Sequence, residues 1–335
     1  LRERSVYLVL FVVLLVLFFI ALSVGRYPVS LDTLFAVAYG KVFGVDMGVS
    51  DTVETVLFQV RLPRIFAAIL IGASLSVAGT AYQGIFKNPL VSPDILGATS
   101  GAAFGAALAI LLSKSTFMIH VSSFLWGLIA VFITYGLSLR VKKSDPTLVL
   151  VLTGILVGTL FSSFVSLIKY VADPYDQLPT ITFWLMGSLS SITFSDLYLV
   201  VIPVLLGAIP LFLVRWRLNV LSFGDEEAMA LGIDTKKLRL VVILSSTLMT
   251  ASVVSISGII GWVGLVIPHL TRLIVGPNYQ VLLPASILTG AIYLLLVDTL
   301  ARVLLPMEIP LGILTALIGA PFFIYLLTRS RRGWV

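Results

Sequence analysis

Three ionisable residues, Lys169, Asp298 and Arg302, stand inside long apolar stretches, where a charge needs a partner or a purpose. Asp298 and Arg302 are four apart, which places them on one helix face within pairing distance. A structural ion pair accounts for both, and a transport role for Asp298 is the alternative. Lys169 lies near a segment end, from which its long side chain can reach water. The two histidines, His120 and His269, are too far apart in sequence to form a metal-ligand spacing, and there is no cysteine. Thiolate catalysis, disulfides, iron–sulfur clusters and Cys-based zinc sites are therefore excluded. No G-x-x-x-x-G-K-[ST] phosphate loop occurs, so this chain does not hydrolyse ATP by that route. No intramembrane carboxylate pair or acidic–histidine series suggests a proton relay. The residues point away from an enzyme.

The elements that hold these residues are apolar on a scale no soluble globule matches. Of 335 residues, 59% are apolar and 11% charged, against roughly 25% charged in a soluble domain. At about 20 residues per crossing, this supports roughly ten membrane spans. Apolar segments run at about 6–25, 64–81, 95–112, 117–139, 147–171, 194–214, 239–257, 259–275, 280–300 and 311–328. The eighth, interrupted by Pro268, His269 and Arg272, is expected to bend or to leave the hydrocarbon. The first, behind Arg2 and Arg4, reads as an uncleaved helix, with a secretory signal as the alternative.

With the N-terminus inside and ten spans, Arg2, Arg4, Lys87, Arg140, Lys142, Lys143, Arg215, Arg217, Lys236, Lys237, Arg239, Arg272, Arg329, Arg331 and Arg332 fall on the cytoplasmic side. Arg26, Lys41, Arg61, Arg64, Lys114, Lys169 and Arg302 fall outside. That bias is the one the positive-inside rule requires, and it places both termini in the cytoplasm. The net charge of +6 then reflects topology, and nucleic acid is not a partner. The polar stretches 26–63 and 215–238 are too short for an independent fold, so residues 1–335 form one transmembrane domain. For 172–193, with Pro174, Pro179 and Trp184, a short re-entrant helix near 181–188 and a plain outer loop both fit. Gly72, Gly79 and the Gly/Ala run 97–107 have helical spacing and suit close helix packing.

Between the sixth and seventh segments, Gly224, Asp225, Glu226, Glu227, Ala228, Met229, Ala230, Leu231 and Gly232 combine acids with apolar residues between two glycine breaks. Two short amphipathic helices within 221–234 would present an apolar and acidic knob to the cytoplasm. It reads as a docking element for a partner, with a solvated loop as the alternative.

Seven motifs occur in order: Arg61-Leu62-Pro63-Arg64; Gly79 to Gln83 followed by Asn88-Pro89-Leu90, Pro93 and Leu96-Gly97; Trp184 with Gly187-Ser188; Ala228 to Gly232; Gly258, Gly264-Leu265, Pro268-His269 and Arg272; Gly290-Ala291, Asp298 and Arg302; and Glu308-Ile309-Pro310 with Gly312, Thr315, Gly319 and Pro321. On these the chain resembles the permease subunits of binding-protein-dependent ABC importers for iron–siderophores, haem and vitamin B12. The resemblance spans about four-fifths of the sequence.

It implies an all-α polytopic membrane protein of the prokaryotic cytoplasmic (inner) membrane, surrounded by lipid. It further implies a homodimer of ten-helix subunits with the path on the two-fold axis. Two cytoplasmic subunits would bind ATP and Mg, this chain needing no cofactor, and an extracytoplasmic binding protein would deliver substrate. By the same resemblance the 221–234 knob supplies coupling helices. Arg61, Arg64 and Arg302 would meet acidic residues of the binding protein, for which bidentate guanidinium chemistry is suited. Asn88, Pro89, Leu90, Thr147 and Leu148 would form the cytoplasmic gate, with Asp145-Pro146 preceding the second turn where family members vary. Ser162, Ser163, Ser166, Trp184, Gly187 and Ser188 would line the path. Ferric siderophores, haem, cobalamin, molybdate and tungstate are all carried by permeases of this type. An ATP-independent channel or carrier and a membrane receptor or scaffold are the other classes.

Overall fold

The computed structural model describes residues 2–45, 47–141 and 145–329. Lys142, Lys143, Arg331 and Arg332, assigned above to the cytoplasmic face, lie outside the described residues. Within the described residues the fold is all-α. Its helices are α1 (Arg2–Ser23), α2 (Leu31–Phe43), α3 (Asp51–Phe86), α4 (Ala98–Leu111), α5 (Thr116–Ser138), α6 (Pro146–Val171), α7 (Gln177–Met186), α8 (Phe194–Leu221), α9 (Asp225–Ala230), α10 (Thr235–Ser257), α11 (Val263–Val275), α12 (Tyr279–Val303) and α13 (Leu311–Arg329). Each of the ten apolar segments is helical. Seven of the described helices are long and apolar enough to cross a membrane, whereas 98–111, 263–275 and 311–325 are shorter. The third segment is shortened because a 3-10 turn, Pro93–Leu96, occupies its start and ends on Gly97 with φ +85°.

Helix α3 is the centre of the bundle, packing against α8, α10, α11 and α12. It begins thirteen residues before the apolar segment at 64. Ahead of Pro63 its ladder widens into a π-helical turn, Val56–Arg61, in which the Leu62 N–H reaches Leu57 O. Proline has no N–H and its ring displaces the preceding carbonyls, so the wider turn is the local solution. Arg61 ends this turn, and Arg64 follows Pro63 in the regular helix beyond it.

Farther along, α3 is held by backbone proximity rather than bulk. A Cβ on Gly72 would stand 2.2 Å from Gly290 O of α12, and one on Gly79 would stand 1.9 Å from Gly264 O of α11. Thr80 Oγ1 and Ser286 Oγ share a hydrogen bond of 2.9 Å, and Gln83 Nε2 donates to Leu265 O at 3.2 Å. Small residues and buried hydroxyls hold helices together where lipid supplies no hydrophobic drive between them.

The eighth segment carries one continuous helix, α11, through Pro268, His269 and Arg272, and the chain breaks ahead of it instead. Helix α10 stops at Gly258 (φ +68°), and α11 begins only after Trp262, whose φ of +70° is left-handed. The freed backbone is satisfied by other chain segments. Ser188 N donates to Ser257 O and Leu311 N to Gly187 O, both at 2.9 Å. A side chain on Gly258 would strike Trp184 O, and one on Gly312 would strike Met186 O and Ile259 O. Irregular backbone at membrane depth persists where protein encloses it in this way. The segment 172–193 holds a helix, α7, whose C-terminal end packs into this break.

Candidate functional site

At one end of the bundle a polar cluster joins α1, α3 and α12. Asp298 is fully buried and accepts from Arg64 Nε at 2.8 Å on Oδ1, with Arg302 Nε 3.3 Å from Oδ2. The i,i+4 pair foreseen from spacing is therefore present, and Arg64 joins it from another helix. Arg64 Nη1 also donates to both Glu308 oxygens, at 3.0 and 2.9 Å.

Arg61 and Arg302 complete the end of α1. Helix termini leave four carbonyls without intrahelical partners. Here Ile20 O accepts from Val24 N, Ala21 O lies 3.4 Å from both terminal nitrogens of Arg302, and Leu22 O accepts from Arg61 Nη1. Ser23 O accepts from Val29 N and from Arg61 Nη1 at 3.2 Å. Arg61 Nη2 additionally donates to Tyr27 O. Cations at a helix C-terminus also oppose its dipole.

Arg61, Arg64 and Arg302 are thus only 4%, 4% and 6% exposed. In the single chain their donors are directed to the chain's own carboxylates and carbonyls, so the three residues expected to meet a binding protein lie together as one cluster at this end of the bundle. Sequence reasoning missed Glu308 as the second acceptor of Arg64 and the end of α1 as the receptor for the other two.

The opposite end carries the knob and the two turns. Between Gly224 (φ +149°) and Gly232 (φ +79°) there is one helix, α9, rather than two. Ala228 and Ile233 are buried beneath it. Phe223, Met229 and Leu231 project outward, Met229 and Leu231 at 56% and 69% exposure, beside the acids Glu226 and Glu227. Asp225 faces inward and contacts Lys87 Nζ and Arg239 Nη2, each at 2.9 Å. Asp234 caps α10, and its carboxyl is held below the usual range by the Lys237 N–H.

Lys87 ends α3 in the left-handed region (φ +48°) and leads into Asn88-Pro89-Leu90, where Leu90 N donates to Asn88 Oδ1 at 2.9 Å. Asp145 caps α6 by accepting from Thr147 N at 2.7 Å and Leu148 N at 3.1 Å. Its carboxyl is held below the usual range by the Leu148 and Thr147 N–H groups, with a smaller contribution from Arg239. The two turns, far apart in sequence, line one cavity of about 350 Å³ with Phe86, Asn88, Val91, Asp145, Thr147, Leu148 and Val151 around it.

On α6, Ser162, Ser163 and Ser166 are exposed on the surface of the single chain. Ser163 and Ser166 donate back to Thr159 O and Ser162 O at 2.9 and 3.0 Å, so their hydroxyls are already engaged within the helix. Leu156, Leu160, Leu167 and Tyr170 share this exposed surface. Helix α7 joins α6 through Ile181 and Ile168, with Trp184 packed alongside, while Gly187 and Ser188 belong to the backbone junction at Ser257 and Leu311. His120 is buried, its Nδ1 3.5 Å from Asp196 Oδ1. Among the described residues no three His, Cys, Asp or Glu side chains are grouped to hold a metal.

The sequence profile described as the FecCD transport family matches residues 13–329. The chain is 44% identical over 314 residues to the molybdate import system permease protein MolB of Haemophilus influenzae, covering 94% of this chain and 92% of that protein. It is 41% identical over 281 residues to a Helicobacter pylori protein named as an iron chelatin transport system permease, covering 84% and 85% of the two. A solved structure, described as an inward-facing conformation of a transporter assigned to the metal-chelate ABC type, superposes with a TM-score of 0.87 at 42% identity. That likeness covers 97% of this chain and 99% of the other.

Proposed function

The chain belongs to the FecCD transport family, multi-pass permeases of ABC importers that are not themselves catalytic, and on that premise we propose that it forms the path by which a metal chelate enters the cell. Two copies place their α6 surfaces toward a shared axis and together form a ten-span-per-subunit homodimer. An extracytoplasmic binding protein delivers a ferric siderophore, haem or cobalamin. Two cytoplasmic ATPase subunits, binding ATP and Mg, receive the 221–234 knobs, with Phe223, Met229 and Leu231 as the apolar contacts and Glu226 and Glu227 beside them. Both termini are cytoplasmic, and the membrane is the prokaryotic cytoplasmic (inner) membrane. Residues 1–335 act as one transmembrane domain.

The observation that carries this reading is the convergence of Asn88 from the first turn and Thr147 and Leu148 from the second on one cavity, with Lys87, beside Asn88, in contact with Asp225 of the knob. A gate and a lever at the same end suit a path opened by a partner's ATP cycle. The path itself holds few groups to grip a ligand: Ser163 and Ser166 have donated to their own helix, and Ser162, Trp184, Gly187 and Ser188 bring no charge. Selectivity then belongs to the binding protein. A second reading, import of molybdate or tungstate, is favoured by the 44% identity to the molybdate permease.

The test reconstitutes the permease with its ATPase and its binding protein in proteoliposomes. ATP-dependent accumulation of ferric siderophore, haem or cobalamin supports the chelate reading, and accumulation of molybdate alone replaces it with the second. Uptake by the isolated permease without ATP would refute both.

A further inference from the structure

The knob and the first gate turn are physically joined. Asp225, the first residue of α9, lies between Lys87 Nζ (2.9 Å to Oδ1) and Arg239 Nη2 (2.9 Å to Oδ2). Lys87 is the left-handed residue at which α3 becomes the first gate turn, so its ammonium is one residue from Asn88. Arg239 belongs to the opening turns of α10 and ties Asp225 to that helix. The Arg239 Nε is buried and has no acceptor among the described residues, which leaves the guanidinium a donor beyond its contacts with Asp225. A helix of six residues has little stability of its own. Its position is set by the buried Ala228 and Ile233 and by the one carboxylate that binds both cations.

We infer that Asp225 is a positioning residue that carries movement of the knob to the first gate turn, through Lys87 to Asn88–Leu90, while Arg239 holds the same carboxylate to α10. The inference rests on the reading of 221–234 as the ATPase contact and of the two turns as the gate. Within that reading it separates two jobs on one short helix. Met229 and Leu231 hold the partner, while Asp225, facing the other way, passes on the displacement. Removing the carboxylate leaves docking intact and disconnects the gate.

Because the chain contains no cysteine, Leu90→Cys supplies a single thiol at the gate. The experiment uses the whole permease–ATPase complex in lipid nanodiscs and a water-soluble maleimide. Labelling rates are compared with and without trapping by ATP and vanadate. In the Leu90→Cys parent, trapping changes the rate by about fivefold or more. With Asp225→Asn added, the change falls below about twofold while the ATPase subunits still co-purify and hydrolyse ATP, and Asp225→Glu restores it. An undiminished change in Asp225→Asn overturns the inference, as does loss of the ATPase subunits from that variant, which would make Asp225 part of the docking surface. The underlying reading is checked separately. ATPase subunits that still co-purify with Met229→Ser/Leu231→Ser refute the knob as the contact, and a parent whose labelling ignores nucleotide refutes the gate; either result takes the inference with it.

Discussion

Replacing Asp298 with Asn removes the one fully buried carboxylate from a cluster that includes Arg61, Arg64 and Arg302. With Glu308 counted, the cluster carries three positive and two negative charges, and the substitution leaves three against one. Two contacts lose their charge, Arg64 Nε at 2.8 Å and Arg302 Nε at 3.3 Å. At an effective dielectric of about 20, the two contacts are worth about 6 and about 5 kcal/mol in gross attraction. Against this stands the cost of keeping the carboxylate out of water, which the substitution relieves. Removing one partner of a buried pair costs about 3–5 kcal/mol net, because the guanidiniums stay buried and underpaired. At about 2 °C per kcal/mol for a chain of this length, the apparent melting midpoint should fall by roughly 6–10 °C. The measurement is the fraction of detergent-solubilised permease that remains monodisperse after heating, followed on size exclusion by the fluorescence of its 5 tryptophans. Adding Arg302→Gln to Asp298→Asn should recover at least about 1 kcal/mol of the loss, since the two residues share one network. A fall of less than about 2 °C for Asp298→Asn would refute the reasoning, because a buried carboxylate with two cationic partners cannot be worth so little.

Two further outcomes follow from the backbone. Gly72→Ala should destabilise by about 1–3 kcal/mol, since its Cβ would stand 2.2 Å from Gly290 O, whereas Gly136→Ala, with nothing within 4 Å, should be neutral or slightly stabilising; the heating assay above compares them. Asp145→Ala should speed amide exchange at Thr147 and Leu148 by about fivefold, as expected for loss of an N-cap. Because folding lowers the Asp145 pKa through the Leu148 and Thr147 N–H groups, the cap's contribution is present above the unfolded value and is lost as pH falls through the folded one. The difference between variant and parent should therefore vanish in acid, as read by exchange mass spectrometry.

Much of the bundle was legible because apolar length is a direct record of membrane crossing. All ten apolar segments are helical, and the pairing of Asp298 with Arg302 was visible in a spacing of four. What was not legible depended on distant chain. Arg64 and Glu308 are separated by 244 positions, and nothing local to Arg61 or Arg302 announces that the carbonyls of α1 await them. Helix α2 lies unmarked in a stretch that reads as polar, its exposed Phe35, Tyr39, Val42 and Phe43 interleaved with polar residues. The stretch between Gly224 and Gly232 contains one helix rather than two, because the conformations of these glycines leave room for only six helical residues. The turns at 88–90 and 147–148 were visible in the sequence, and only the fold brings Asn88 and Thr147 to one cavity.

The clasp on the end of α1 sets an order of events in the life of the chain. Helix α1 emerges well before α12 during synthesis and presents few buried side chains to its neighbours, yet Ala21 O must wait for Arg302, 281 positions later. At a synthesis rate of about 5–20 residues per second, that interval is about 14–56 s. Throughout it, Leu22 O and Ser23 O already have Arg61, while Ala21 O is without its partner. The circle closes only when α12 arrives. A chain interrupted before Arg302 would hold α1 by Arg61 and side-chain packing alone, so whether α1 is fully secured records that synthesis has passed Arg302.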